Sequence, residues 1–275
     1  MVFHRSQQRE SKFSNKKALI TGASSGIGEA TAIRFAQKGI HVILTARRLE
    51  RLQKLRESIS AAGGKATILK ADLSIEADRV NLFNSLQETQ QLPDILLNNA
   101  GLAWYGYFQE MPWPIAKNTI NLNVEALTHL TTLFLPNMLK NHYGRIINIG
   151  SIAGKLPEQG VAVYSATKAY VDAFTKSARR DLKRSGVSVS VVRAGPVKTE
   201  FFDTARKLEN GGSVPFEQFA ISVDRVVNAI CRTLNHPRRF VYVPGYMIVS
   251  PLLEFLLAPV LDLVGPALLA ARKKE

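Results

Sequence analysis

The chain has 275 residues, 46% of them hydrophobic, and its 36 Lys and Arg outnumber 22 Asp and Glu to leave a formal net charge of +14. That length and apolar content suit one large α/β domain. A single cysteine, Cys231, excludes an internal disulfide and any multi-cysteine metal site, and the five histidines have no H-E-x-x-H or paired spacing, so no metal site is expected.

Residues 1–15 are polar and basic without an apolar core segment, so the expectation is a loosely ordered arm and no secretory signal. A strand at 17–21 runs into Thr21-Gly22-Ala23-Ser24-Ser25-Gly26-Ile27-Gly28, and a helix-like stretch follows at 27–37. Strand, glycine turn and helix is the context of a dinucleotide phosphate site, where glycines admit a tight turn and a helix N-terminus faces the anion. The spacing is G-x-x-x-G-x-G, not G-x-G-x-x-G, so an ordinary strand-to-helix turn is the competing reading.

The second strand, 40–46, ends in Ala46-Arg47-Arg48 before a helix from 49 to 60. An NAD site usually presents an acid here to the adenosine ribose; Ala46 stands in its place, and Arg47 and Arg48 can give charge-assisted hydrogen bonds to a 2′-phosphate. A solvated basic turn is the alternative. After a third strand at 65–70, Asp72 and Ser74 in Ala71-Asp72-Leu73-Ser74 are both plausible caps for the next helix. A fourth strand at 93–98 ends in Asn98-Asn99-Ala100-Gly101, small residues of the kind that border the ligand crevice of an open α/β sheet. Asn123 lies in a helical region, where its own residue type favours bonding to its own backbone.

A fifth strand, 144–150, presents Ser151, thirteen residues before Tyr164. Ser151 could equally be a strand-end cap. In Tyr164-Ser165-Ala166-Thr167-Lys168 a phenol and an ammonium stand at i and i+4 and share one helix face. A positive neighbour favours phenolate, so Lys168 is expected to lower the Tyr164 pKa toward the range of an acid–base catalyst. A packed aromatic beside a lysine stem is the structural alternative. Strands at 187–193 and 239–243 complete a set of seven; residues 200–215, with Gly211-Gly212 and Pro215, read as a mobile loop, and Cys231 sits in an apolar helix-like stretch as an inert thiol. The alternation predicts a parallel sheet with helices on both faces.

Taken together, Thr21-Gly22-x3-Gly26-x-Gly28, Asn98-Asn99-Ala100-Gly101, Asn123, Ser151 and Tyr164-x3-Lys168 resemble the short-chain dehydrogenase/reductase family over roughly residues 16–243. The chain departs from the family's Pro-Gly after the sixth strand, reading Arg193-Ala194-Gly195-Pro196-Val197-Lys198-Thr199, with Gly195, Val197 and Thr199 still in place. The resemblance implies a single Rossmann-type doubly wound domain over 16–245 that binds NADP(H). Its cofactor residues would be Gly22, Ser24, Ser25, Gly26, Ile27, Gly28, Arg47, Arg48, Asp72, Leu73, Asn99, Ala100, Gly101, Tyr164, Lys168, Gly195, Val197 and Thr199. It implies ketone or aldehyde reduction, or the reverse, by hydride transfer. Tyr164 would exchange the proton, Ser151 would hold the carbonyl, Lys168 would bond the nicotinamide ribose, and Asn123 would hold a water linking Lys168 to solvent. Leu102, Leu156 and Phe201, with Trp104, Tyr107 and Val161, would form an apolar substrate pocket, and 200–215 its lid. A non-catalytic NADP-binding regulator, or an isomerase or lyase with a retained nucleotide, are the rival readings.

The resemblance also implies a homodimer or homotetramer through the helices that carry Asn123 and Tyr164. No nucleic-acid module accompanies the basic runs at 47–56, 179–184, 238–239 and 272–274. The tail, 246–275, is apolar but carries Glu254 and Asp262 and is punctuated by Pro251, Pro259 and Pro266. It reads first as a pocket cap or subunit interface, second as a peripheral membrane contact with Arg272-Lys273-Lys274 as a basic end, and last as a span. The expected location is cytoplasmic, with membrane association the alternative. An apolar substrate such as a 3-oxoacyl, steroid or retinoid-like carbonyl follows from either leading reading.

Overall fold

Residues in the central strands alternate between two apolar faces, so these strands are committed to burial on both sides. Ala18 and Ile20 face one core with Val42, Leu44, Ile95, Leu97, Ile147 and Ile149; Leu19, Ile43, Leu96 and Ile146 face the other. Strands apolar on both faces form parallel sheets covered by helices. The computed structural model describes residues 12–213 and 215–270 and has this arrangement.

Its seven strands are β1 (Lys17–Thr21), β2 (His41–Ala46), β3 (Ala66–Lys70), β4 (Ile95–Asn98), β5 (Gly144–Ser151), β6 (Val187–Ala194) and β7 (Phe240–Val243). They pair in the order β3-β2-β1-β4-β5-β6-β7, parallel throughout. The fold is the Rossmann-type sheet expected from the alternation. Helices α1 (Gly26–Ala36) and α2 (Leu49–Ala61) cover one face, and α3 (Glu76–Glu88) covers the other. A long helical segment follows: α4 (Trp113–Ile120), a π-helical turn (Asn121–Glu125) and α5 (Ala126–Lys140). Beyond it lie α6 (Ala162–Asp181), α7 (Phe201–Arg206), α8 (Val223–Asn235) and α9 (Ser250–Ala270). β1 pairs with both β2 and β4, so the strand order reverses there and opens a crevice at the carboxyl ends of the strands.

Three expectations change. Residues 200–215 are not wholly loop: they begin with α7, which buries Phe202 and Ala205, a contact that Gly211 and Gly212 downstream mask in the sequence. Pro259 and Pro266 do not interrupt the tail; both lie inside one continuous helix, and Pro251 occupies its first turn, where a missing N–H costs nothing. The expected arm lies largely outside the described residues, but its last part is folded. Phe13 is buried in the core with Phe35 and Ile40, and the Lys16 N–H donates to its carbonyl at 2.9 Å. Phe13→Ala should therefore cost about 3 kcal/mol through the cavity it leaves. Thermal unfolding should show a melting temperature lower by roughly 6–12 °C; an unchanged midpoint would return Phe13 to the arm.

Candidate active site

The crevice is a cleft of about 660 Å3 along the carboxyl ends of the strands. Its floor is set by the link between the β1 and β4 ends. Thr21 Oγ1 accepts from the N–H groups of Asn99 and Ala100, each at 2.9 Å, and donates to the Leu97 carbonyl at 3.1 Å. Asn99 Nδ2 donates to the carbonyls of Thr21 at 2.9 Å and Gly22 at 3.3 Å. Asn99 is thus a strut between two strand ends, and the closeness it enforces explains the glycines. A Cβ on Gly28 would lie 2.3 Å from the Gly22 carbonyl oxygen, and Gly26, at φ +57°, faces Thr199. Ser25 precedes α1 without a side-chain cap, so the N–H groups of the first turn face the cleft beside Gly22, Ser24, Ser25, Gly26 and Ile27, all in its wall.

Past this turn the wall continues to the end of β2. Arg48 donates from Nη2 to Ser24 Oγ at 3.0 Å and Ser25 Oγ at 2.8 Å. Its Nη1 donates to Glu200 at 2.8 Å from the opposite bank, and Arg51 also bonds Glu200. These bonds, Arg51 first and then Arg48, hold the Glu200 carboxyl below the usual range. Arg47 lies 3.8 Å from Asp72, whose Oδ1 accepts from the Ser74 N–H at 3.1 Å. Asp72 therefore both organises its own turn and, with Leu73, lines the cleft. Behind Leu73, the fully buried Arg79 donates to the Leu73 carbonyl at 2.8 Å and to His129 at 3.0 Å, and pairs with Glu125. Two cationic side chains, two hydroxyls, uncapped helix N–H groups and a terminal Ala46 in place of an acid fit a phosphorylated dinucleotide.

The other end of the cleft holds Ser151, Tyr164 and Lys168. Ser151 Oγ accepts from the Ala153 N–H at 3.2 Å, so it caps the turn that follows β5, and it lines the same cleft as Tyr164. The Lys168 Nζ lies 5.6 Å from the centroid of the Tyr164 ring and donates to the Ile149 carbonyl at 2.9 Å. The pair shares a helix face as its spacing requires, but the expected electrostatic effect is reversed. Burial pushes the Tyr164 pKa up to about 12, and the Ser151 side chain opposes this only in part. Burial also brings Lys168 down to about 8, against the opposing charge of Asp172. Desolvation dominates, and Lys168 is not among the groups that move the phenol, so Tyr164 is held as a protonated donor.

Asn123 sits in the π-helical turn, 2% exposed. It bonds two other segments, not its own backbone. Its Oδ1 accepts from the Leu102 N–H at 2.8 Å, and its Nδ2 donates to the Leu102 carbonyl at 2.9 Å and to Thr167 at 3.0 Å. It therefore ties the loop after β4 to α6, one residue from Lys168. A Cβ on Gly101 would meet Asn123 Oδ1 at 3.2 Å and Lys168 Nζ at 3.7 Å, which is why the loop can pass so close. Asn123 and Gly28 stand behind the wall; Asn99, Ala100, Gly101, Gly195, Val197 and Thr199 form part of it.

Leu102, Leu156, Val161 and Phe201 line the apolar end, with the Phe201 ring 5.8 Å from that of Tyr164. Trp104 and Tyr107 do not: Trp104 is buried under the adjoining loop and donates from its indole to the Glu209 carbonyl at 2.9 Å. Sequence reasoning did not single out Glu200 or Phe219; Tyr246, Met247 and Leu253, from the tail read first as a pocket cap or interface, also line the cleft. Glu200 directly follows Thr199, but only folding sets it against the basic turn at 47–51. Cys231 is buried in α8 away from the cleft, where burial raises its thiol pKa.

The short chain dehydrogenase family model matches residues 16–210. The chain is 39% identical over 196 residues to an NADP-dependent 3-hydroxy acid dehydrogenase of Escherichia coli, a match covering 70% of this chain and 77% of that protein. A solved short-chain dehydrogenase from Sphingobium yanoikuyae in complex with NADPH superposes with a TM-score of 0.78 at 31% identity, covering 90% of this chain and 95% of that one. The bulky-bulky ketone specific alcohol dehydrogenase of Comamonas testosteroni superposes at 0.72 with 28% identity, covering 83% and 86%.

Proposed function

The chain belongs to the short-chain dehydrogenase family, and from that premise we propose that it is an NADP(H)-dependent oxidoreductase interconverting an apolar ketone or aldehyde and its alcohol. One observation carries this reading: a single cleft joins the serine–arginine cluster at the β2 end to Ser151, Tyr164 and Lys168 at the β5 end. The NADPH and NADP-dependent proteins to which the chain is similar support the cofactor. Arg48, Ser24 and Ser25 would hold the 2′-phosphate, the α1 N-terminus the pyrophosphate, and Lys168 the nicotinamide ribose. Bound NADP(H) supplies the hydride chemistry.

The remaining work falls to the chain's own groups. Ser151 donates a hydrogen bond to the carbonyl oxygen and stabilises the charge that develops there. Tyr164 gives its proton to the same oxygen, and the ammonium of Lys168 offsets the phenolate left behind. In alcohol oxidation the proton runs the other way. Asn123 keeps the Leu102 loop and α6 in register. A regulator that only binds nucleotide has no use for this full set. An apolar carbonyl, of 3-oxoacyl, steroid or retinoid-like kind, suits the Leu102, Leu156 and Phe201 wall, and the bulky-bulky ketone specificity of the Comamonas testosteroni protein supports it. A homodimer or homotetramer through α5 and α6 belongs to the same reading. There the half-exposed Tyr170 is stacked on Phe174 at 6.0 Å and hydrogen-bonded to Thr128 at 2.9 Å.

The test is consumption of NADPH against a panel of ketones and aldehydes, with NADH in parallel. Turnover that prefers NADPH is expected; tight nucleotide binding with no turnover on any member would sink the reaction. The pH profile adds a sign. Lys168 is charged below about 8 and neutral above it. The reductive kcat/KM should therefore fall as pH rises through about 8. Asp172 raises the Lys168 pKa, so Asp172→Asn should move that fall to lower pH. A fall that does not move would detach the profile from Lys168.

A further inference from the structure

The helix α9 is built inside out. The positions less exposed than their neighbours are Ser250, Glu254, Ala258, Leu261 and Gly265, spaced three or four apart along one stripe. Apart from Leu261, small and polar residues thus face the body of the protein. Outward stand Leu252 at 57%, Phe255 at 81%, Leu256 at 59%, Val260 at 54% and Leu263 at 80% exposure. A surface helix of a water-bathed protein has the opposite pattern, with its apolar stripe inward. Only 6% of the most apolar stretch within Gly245–Ala267 is buried. The preceding turn continues the patch with Tyr246 at 70% and Ile248 at 57% exposure. Exposed apolar surface on this scale marks an interaction site.

Three features choose the occupant. With Leu253 and Leu257, which are exposed as well, the outward apolar residues spread, at 100° per step, over about 200° of the helix circumference, whereas one packed face takes a stripe of about 100°. A fluid apolar phase covers such a surface; a single rigid partner leaves much of it wet. The chain carries a net charge of +14, and in sequence the helix runs directly into Arg272, Lys273 and Lys274, which lie outside the described residues. Basic charge at the edge of an apolar helix complements anionic headgroups. The helix also lies along the body and does not project from it: Gln159 Nε2 donates to the Leu261 carbonyl at 2.9 Å, and Gly265 packs on the same side chain. That attachment suits a helix in the plane of an interface.

We propose that α9 seats the protein on the surface of an anionic lipid bilayer and turns the cleft mouth toward it, so that the carbonyl or alcohol substrate enters from the lipid phase. The second half rests on the function proposed above. Its basis is continuity: Tyr246, Met247 and Leu253 of this segment line the same cleft as Tyr164.

The experiment floats the full chain with vesicles of phosphatidylcholine alone and of phosphatidylcholine with phosphatidylglycerol. Flotation with the anionic vesicles, weakened by salt, is expected. The double variant Leu256→Glu, Leu263→Glu, altered only at exposed positions, should stay in the aqueous fraction with an unchanged melting temperature. It should retain turnover of cyclohexanone in buffer while losing at least about tenfold on a long-chain methyl ketone dissolved in the vesicles. Failure of the full chain to float with either vesicle overturns the proposal. So does a discrete dimer that the double variant converts to monomer, which would assign the surface to a second copy. Equal turnover of the vesicle ketone by both proteins overturns the entry route. Flotation without turnover on any carbonyl would uphold the surface and overturn the reaction.

Discussion

Tyr164→Phe should lose turnover by about 10²–10⁴-fold and keep its affinity for NADPH. The substitution removes one hydroxyl and leaves the ring, which packs against Phe201 at 5.8 Å. Ser151 keeps the Ala153 N–H as a partner, so the site should not collapse. What disappears is the proton. Burial holds the phenol pKa at about 12, so the wild-type group is a protonated donor across the neutral range. The other phenol among the described cleft-lining residues, Tyr246, is 70% exposed. Steady-state kinetics with NADPH titration by its fluorescence separates the two effects. Wild-type turnover by the variant would remove Tyr164 from the proposed mechanism, whereas loss of nucleotide binding with turnover would point to a collapsed cleft.

The second large effect is expected at Arg48. It reaches Ser24 and Ser25 with one nitrogen and Glu200 with another, so it organises the end of the cleft where no acid replaces Ala46. Arg48→Ala should lower kcat/KM for NADPH by roughly 10–100-fold, the equivalent of a charge-assisted hydrogen bond of about 1.5–3 kcal/mol. The value for NADH should change little, because the lost interaction is with the 2′-phosphate alone. Arg48→Lys should fall between, since it keeps the charge and loses the fork. Arg47 is the more exposed of the two and lies 3.8 Å from Asp72, so its removal should matter less. Parallel loss with both nucleotides would make Arg48 a structural tie between Ser24 and Glu200, not the phosphate-recognising group.

Much of this site was legible in the chain because it is assembled from local patterns. The strand expected at 17–21 matches β1, and the other six agree to within two residues at each end. Their apolar alternation needs no partner to be recognised. The glycine turn, the Asn98-Asn99-Ala100-Gly101 segment and the Tyr164–Lys168 spacing are likewise short-range, and all border one cleft once the strands are stacked in parallel. Asn123 was legible as a residue of interest but not in its bonding. Its partners, Leu102 and Thr167, lie 21 and 44 residues away.

What the sequence determined by itself was the order of strands and helices, the position of the glycine turn and the shared face of Tyr164 and Lys168. Each depends on backbone period and residue type within a few positions. Tertiary structure decided the direction of the Tyr164 pKa, because burial by surrounding segments raises it. It set Glu200 against Arg48 across 152 residues of chain. It also decided which side of α9 faces the protein, since an apolar helix has no inward face until a body is packed against it.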